Sequence, residues 1–295
     1  MSSDRSEYVK GIAFATIGIV VLSFDALFVR ISQTAGFKAS FWRASSACIS
    51  LLIVFLIRQR GKAASVLKAG GIPMLFSGLL WGLSGISFSM GVINAGVPST
   101  LVMMSLSPLF AAGYSFFIYR ERPSWFTLIA AIGAIGGILY MFRAQLHHVL
   151  NNGLIYAVAT PLFLGINLSH LRHHKNVNRM AVCMLGGLFG ALLSWILAVG
   201  DVAISRNSLA PLLVLGLLIV PFSQTMISTG TRYIPAAESA LINSMETVLG
   251  ILYVWVFLGE APSHDFLIGA IVVVSCITMN SIVQGRHSRL KTATL

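Results

Sequence analysis

Ten runs of about twenty mostly apolar residues follow one another with only short polar connections, and that pattern excludes most folds before any other feature is weighed. The runs are 11–30, 39–57, 71–94, 98–119, 124–142, 152–171, 179–199, 210–231, 235–258 and 264–283. A helix of that length crosses a hydrocarbon core about 30 Å thick, and inside lipid each segment must satisfy its own backbone N–H and C=O groups. The chain therefore reads as an all-α integral membrane protein with ten transmembrane helices. None of the connections is long enough to hold a soluble domain.

The balance of charges gives the orientation. Of 295 residues 56% are hydrophobic and 10% charged, where a soluble chain has about a quarter charged. A net charge of +11 would suggest nucleic acid in a soluble protein. Here the basic residues lie in the connections, so the partner is the lipid bilayer and not nucleic acid. Counted by alternate sides, fifteen Lys and Arg, from Arg5 and Lys10 to Arg289 and Lys291, fall on the side of the N-terminus. Only Arg30, Lys38, Arg143 and Arg206 fall on the other. The excess predicts a multi-pass membrane protein with both termini in the cytoplasm. The first run follows Asp4, Arg5, Glu7 and Lys10 with no small-residue cleavage site behind it, and reads as a retained span. Cys48, Cys183 and Cys276 all fall inside runs, so no disulfide is expected.

The two halves repeat. Glu260, Ala261, Pro262 and Ser263 have a twin in Glu121, Arg122, Pro123 and Ser124, 139 positions earlier, and each quartet separates two apolar runs. At an offset of 142, Gly11, Asp25 and Arg30 fall on Gly153, Asn167 and Arg172. Residues 10–143 and 152–285 thus read as two copies of one unit. Five spans per copy is an odd number, so the copies are expected to be inverted, the pattern of alternating-access transporters with a site near the midplane. Gly78/Gly82, Gly133/Gly137 and Gly186/Gly190 fit close helix packing within one bundle. A monomer suffices for such a carrier, and the sequence leaves the oligomeric state open. Pro108, Pro161 and Pro221 fall inside runs, where each frees a carbonyl and invites a kink.

Four charges lie within the runs: Asp25, Arg43, Glu238 and Glu246. Such groups are costly in lipid and face the bundle interior or water. Asp25 and Arg43 sit at similar depths below the outer surface, about 7.5 and 6 Å by helical rise, and can pair. That pair reads as a structural ion pair, an outer gate or a carboxylate ligand. Arg179, roughly opposite Arg43 in the second unit and near Asn167, completes the gate idea on the inner side. Glu246, about 16 Å into its run, lies at the midplane, and either lines the site and couples protons or serves packing. Ser84, Ser107, Asn167, His170, Gln224 and Asn243 could bond a substrate or a neighbouring helix. Phe24, Trp81, Phe88, Met103 and Met104 could form an adaptable apolar wall. His147/His148 and His173/His174 lie in opposite loops with no carboxylate or thiol nearby, so no metal is expected, and no cofactor motif is present. Gly82-Leu83-Ser84-Gly85 matches the short signature of rhomboid intramembrane serine proteases, with His170 as a conceivable base, a remote alternative without the duplication.

Ten spans in two units, the run ending Leu258-Gly259-Glu260 before a polar turn, its relative Tyr119-Arg120-Glu121, and Met245-Glu246 resemble the drug/metabolite transporter superfamily, most closely its EamA-type amino-acid exporters. The sequence departs from the pattern at Arg120, where the second unit has Gly259. The resemblance implies a basket of ten helices around a cavity lined by spans 1, 3, 4, 6, 8 and 9, with spans 5 and 10 peripheral. Carried onto this chain, the candidate substrate-binding residues are Phe24, Asp25, Trp81, Ser84, Phe88, Met103, Ser107, Asn167, His170, Gln224, Asn243 and Glu246. The implied function is export of amino acids, bulky apolar and aromatic ones included, by alternating access, without covalent chemistry or catalytic residues. Efflux of cationic drugs or carriage of another metabolite is the alternative, and protons are a candidate coupling partner.

Overall fold

The computed structural model describes residues 2–121, 125–141, 152–174, 176–230, 233 and 236–293; of the side chains in these stretches, those of residues 2–8, 141, 152, 228, 236–241, 244, 277, 281 and 284–293 lie outside the description. Every described element is a helix: α1 (Ser2–Leu22), α2 (Phe24–Ile31), α3 (Gly36–Gln59), α4 (Ala63–Asn94), α5 (Val97–Met104), α6 (Ser107–Tyr119), α7 (Trp125–Met141), α8 (Asn152–His173), α9 (Arg179–Leu197), α10 (Arg206–Val214), α11 (Val220–Gly230), α12 (Ala236–Leu258) and α13 (His264–Ala293). Seven helical stretches are long and apolar enough to cross a membrane, and three shorter apolar ones, Trp125–Tyr140, Met245–Leu258 and His264–Asn280, occupy the places of the remaining expected runs.

Three runs are not single straight helices. The first breaks at Ser23, whose hydroxyl donates to the Ile19 carbonyl at 2.8 Å, a local bond that competes with the helix ladder. The fourth breaks at Ser105–Leu106, just before Pro108. The eighth passes from α10 to α11 through a π-helical turn, Leu215–Ile219, that ends before Pro221. Pro161, by contrast, lies inside the continuous α8. The third run starts earlier than its apolar residues: α4 begins at Ala63 and bends at Gly71, φ +49°, so Pro73 lies within the helix rather than at its start. Lys62 and Lys68 had hidden that leading turn.

Small residues set the packing. A Cβ at Gly82 would lie 2.8 Å from the Gly190 nitrogen and 2.9 Å from the Gly186 carbonyl oxygen, so α4 and α9 touch backbone to backbone. The Gly133 and Gly137 face of α7 packs on Cys276 and Val273 of α13. The α4–α8 pair is antiparallel, since Ser84 meets Thr160 at one end and Phe76 meets His170 at the other. So is the α1–α11 pair, where Gly18 meets Ile227 and Ala15 meets Gly230. A Cβ at Gly230 would lie 3.0 Å from the Ala15 Cα, and one at Gly91 would lie 3.2 Å from the Ala157 Cα. Under the offsets of 142 and 139 these two contacts are the same contact.

The turn after each unit's fourth run also repeats in shape. Gly259 has φ +70° and Arg120 φ +56°, so the arginine takes the left-handed conformation that glycine takes in the twin. The 198–205 connection is pinned to α3, with the Trp42 indole donating to the Val202 carbonyl at 2.8 Å and Lys38 Nζ to Asp201 at 2.7 Å. That bond from Lys38 and its charge hold the Asp201 carboxyl below its ordinary value of 3.8.

Candidate functional site

Helices α1, α2, α3, α4, α5, α8, α9, α11 and α12 line a cavity of about 140 Å³, space for on the order of ten waters. Its polar end is built by Asp25 and Arg43. Arg43 Nε donates to Asp25 Oδ1 at 2.9 Å, and Nη2 donates to Oδ2 in a second, shorter contact. The two side chains are mostly buried, at 7% exposure for Asp25 and 18% for Arg43. The forked geometry orients the guanidinium over the Phe88 ring, 5.5 Å from its centroid. Gly85 makes room for it, since a Cβ there would lie 3.2 Å from Arg43 Nη1. Glu246 reaches the same cavity from α12.

Of the residues singled out from sequence, Asp25, Arg43, Trp81, Ser84, Phe88, Gln224 and Glu246 line this cavity, together with Met104. Phe24 does not: its ring stacks on Tyr253 at 4.2 Å, facing α12. Phe24 and Asp25 are neighbours on α2, where successive side chains point about 100° apart, so one faces the cavity and the other α12. Met103 belongs to an apolar cluster with Val102, Leu106 and Phe266. Ser107 starts α6 behind the cavity, where α6 packs closely on Gly165 of α8. Asn167 and His170 are buried at the α4–α8 contact outside the lining, and Asn243 is exposed on α12. Glu238 lies among the undescribed side chains. Arg179 is exposed at the start of α9 and leaves Asn167 without a hydrogen-bond partner, so the inner gate drawn from those two is not formed.

Sequence reasoning missed the contribution of α9 and, apart from Arg43, that of α3. Ser40, Ala44 and Ala47 on one side and Gly186, Gly187 and Gly190 on the other form a wall of small residues. Their spacing of three and four was the available signal, and it reads equally as packing. The protease alternative fails on geometry: Ser84 Oγ donates to the Thr160 carbonyl at 3.2 Å, while His170 packs on Phe76, eight residues back along α4. The histidines need a correction too. Glu121 Oε1 lies 3.2 Å from His173 Nε2, so a carboxylate is nearby after all. Among the described residues no three metal-ligating side chains come together, and His147 and His148 lie outside the described residues.

Each end of the bundle carries an ion pair between units. At one end Arg30 meets Glu260, with Nε and Nη2 at 3.0 and 2.9 Å from Oε1. At the other Arg172 meets Glu121 at 3.6 Å, alongside His173, whose ring stacks on Tyr119 at 3.6 Å. Arg30 and Arg172 are 142 positions apart, Glu121 and Glu260 139, so both pairs join corresponding residues.

The model of the EamA-like transporter family matches residues 9–143 and again residues 151–282. The chain belongs to the EamA-like transporter family. It is thus a multi-pass membrane protein and a transporter of the drug/metabolite transporter superfamily, whose EamA members are transporters and not enzymes. One solved crystal structure resembles it over 94% of this chain and 98% of the other, with a TM-score of 0.66 and 19% identity, a likeness of fold alone. The search of curated proteins found no match.

Proposed function

We propose that this EamA-family transporter exports amino acids, bulky apolar and aromatic ones included, from the cytoplasm across the inner membrane by alternating access. The observation that carries the substrate class is the company kept in the cavity. Arg43 offers a guanidinium for a carboxylate, Glu246 a carboxylate for an ammonium, and Trp81, Phe88 and Met104 a wall for an apolar side chain. A zwitterion with an apolar tail uses all three. Phosphorylated solutes would call for several cationic side chains, and Arg43 is the cation among the lining residues.

Alternating access rests on two inverted units of five spans, ten in all. In support, the Ala15–Gly230 and Ala157–Gly91 contacts are equivalent, and α4–α8 and α1–α11 pack alike. The Arg30–Glu260 and Arg172–Glu121 pairs then sit at opposite membrane faces as equivalent latches, the first outer and the second cytoplasmic by the charge count, with both termini in the cytoplasm. Glu246 is the candidate for proton coupling.

Counterflow of labelled phenylalanine, leucine and methionine in liposomes tests this reading, with ethidium alongside. Saturable exchange with mutual competition supports it. Ethidium transport without amino-acid exchange moves the function to cationic drug efflux, the reading favoured by two cavity carboxylates, Asp25 and Glu246, against one guanidinium.

A further inference from the structure

Beyond the cavity, toward the Glu121 end, the α4–α8 contact holds polar side chains with nothing to bond. Ser77 Oγ and both amide atoms of Asn167 are buried without a hydrogen-bond partner, and both side chains are fully inaccessible. His170, one turn further, is buried too, with the Pro73 backbone as the polar neighbour of its ring. Desolvating a donor or acceptor with no partner is costly, so such groups are uncommon unless some state of the protein satisfies them.

Their placement says what that state is. On α8, Thr160 and Leu164 line the cavity, and Asn167 continues the same helical face by three residues. On α4, Ser77 lies one turn before Trp81, which lines the cavity. The antiparallel register that sets Ser84 against Thr160 brings Ser77 level with Asn167, seven residues further along each helix. The polar atoms therefore extend the cavity's own lining by one turn, toward the contact of His170 with Phe76 and the ion pair of Glu121 with Arg172. In the repeat, Asn167 is also the counterpart of Asp25, whose carboxylate is fully engaged by Arg43.

We propose that Ser77, Asn167 and His170 form a second, uncharged binding station on the Glu121 side, which takes the ammonium and carboxylate of an amino-acid zwitterion when that end opens. The station rests on the amino-acid reading above. Its groups offer both donors and acceptors: a hydroxyl, an amide with two of each, and an imidazole with one of each. A neutral set of that kind holds a zwitterion's head weakly enough to pass it on to the charged pair at Arg43.

The test uses the full-length protein in liposomes with labelled phenylalanine, and separates binding from transport. Asn167→Leu should raise the heat-unfolding midpoint, because it removes a buried unpartnered amide. It should leave phenylalanine affinity within about twofold while slowing exchange about tenfold or more. Ser77→Ala, which disturbs no packing volume, should slow exchange about threefold. Exchange at the parent rate in Ser77→Ala and Asn167→Leu overturns the station. So does parent-rate exchange in Ser77→Ala alone if Asn167→Leu does not fold, or an affinity loss that accounts for the whole slowing. If the parent protein moves ethidium but not phenylalanine, the amino-acid reading has failed, and the zwitterion station falls with it; the parent control distinguishes that from failure of the station alone.

Discussion

Glu260→Gln removes the charge from one of the two ion pairs that tie the units together, and the structure sets the size of the effect. Both partners in the Arg30–Glu260 pair are 39% exposed, which places the pair in the range of about 0.2–1 kcal/mol measured for such contacts. Its two nitrogen–oxygen contacts at 2.9 and 3.0 Å put it in the upper part of that range. If the pair holds the outer end closed, losing about 0.5–1 kcal/mol shifts the closed-to-open ratio about two- to fivefold. Glu121→Gln acts on a longer contact, 3.6 Å, to an arginine that is 70% exposed, so its effect on the other end should be about twofold or less. Cys183 lines the cavity as a free thiol and can report opening once Cys48 and Cys276 are replaced by alanine. With a membrane-impermeant maleimide outside right-side-out vesicles, Glu260→Gln should speed labelling of Cys183 two- to fivefold, and Glu121→Gln should slow it. Reversing both charges, Arg30→Glu with Glu260→Arg, should restore the parent rate. Equal labelling in Glu260→Gln and the parent, or both single variants moving the rate the same way, would refute reciprocal latches.

Exchanging the charges of Asp25 and Arg43 should recover substrate exchange lost in either single reversal; a double reversal as inactive as the singles would show that more than their mutual pairing is required. Glu246→Gln should abolish uptake driven by a pH gradient while counterflow persists, and unchanged pH dependence removes the coupling role. Gly82→Ala should destabilise the protein by about 1–3 kcal/mol, seen as a lower heat-unfolding midpoint, because the added methyl meets α9 backbone that cannot move aside. Asp201→Asn should lower the unfolding midpoint at pH 7; the folded-state value of Asp201 is depressed, so the difference should shrink as pH falls below 3.8 and persist unchanged only if Lys38 is not the cause.

What could be read in advance follows the range of the interactions. Asp25 and Arg43 were legible as a pair because each sits at a countable depth in neighbouring runs, and helical rise converts position into height. The turn at Glu121 and Glu260 was legible because it is local. Direction around a helix was less so: Phe24 is next to Asp25 in sequence, yet on the same helix it points about 100° away and stacks on Tyr253. Apart from Arg43 and Ser40, the wall of α3 and α9 carried no polar signal, since glycine and alanine look the same whether they admit a helix or a ligand. The Arg30–Glu260 and Arg172–Glu121 pairs span 230 and 51 positions, and although the repeat marks both members of each pair, nothing local says that they meet. Arg120 marks the opposite case. The sequence departs from glycine there, yet the left-handed turn forms regardless. Arg120→Gly should therefore stabilise the protein by about 1 kcal/mol, read as a higher unfolding midpoint, with transport unchanged.

The scaffold repeats, but the charges do not, and that asymmetry bears on mechanism. Corresponding residues make the Ala–Gly contacts, the left-handed turns and the two end ion pairs. The cavity's ionisable groups have no such twins. Asp25 corresponds to Asn167, Glu246 to Ser107, and α9 carries no charge after Arg179. The rocking proposed above needs two energetically similar end states, and the repeated packing is compatible with that. It does not need two charged sites. A second buried set of ions would add its own desolvation cost and hold a zwitterion at two depths with equal strength. One charged station with a neutral neighbour lets the same head group be gripped at one level and handed along at the next. On this argument, restoring the lost charge with Asn167→Asp should tighten phenylalanine binding and slow its exchange; faster exchange with tighter binding would show that the neutral residue serves no such purpose.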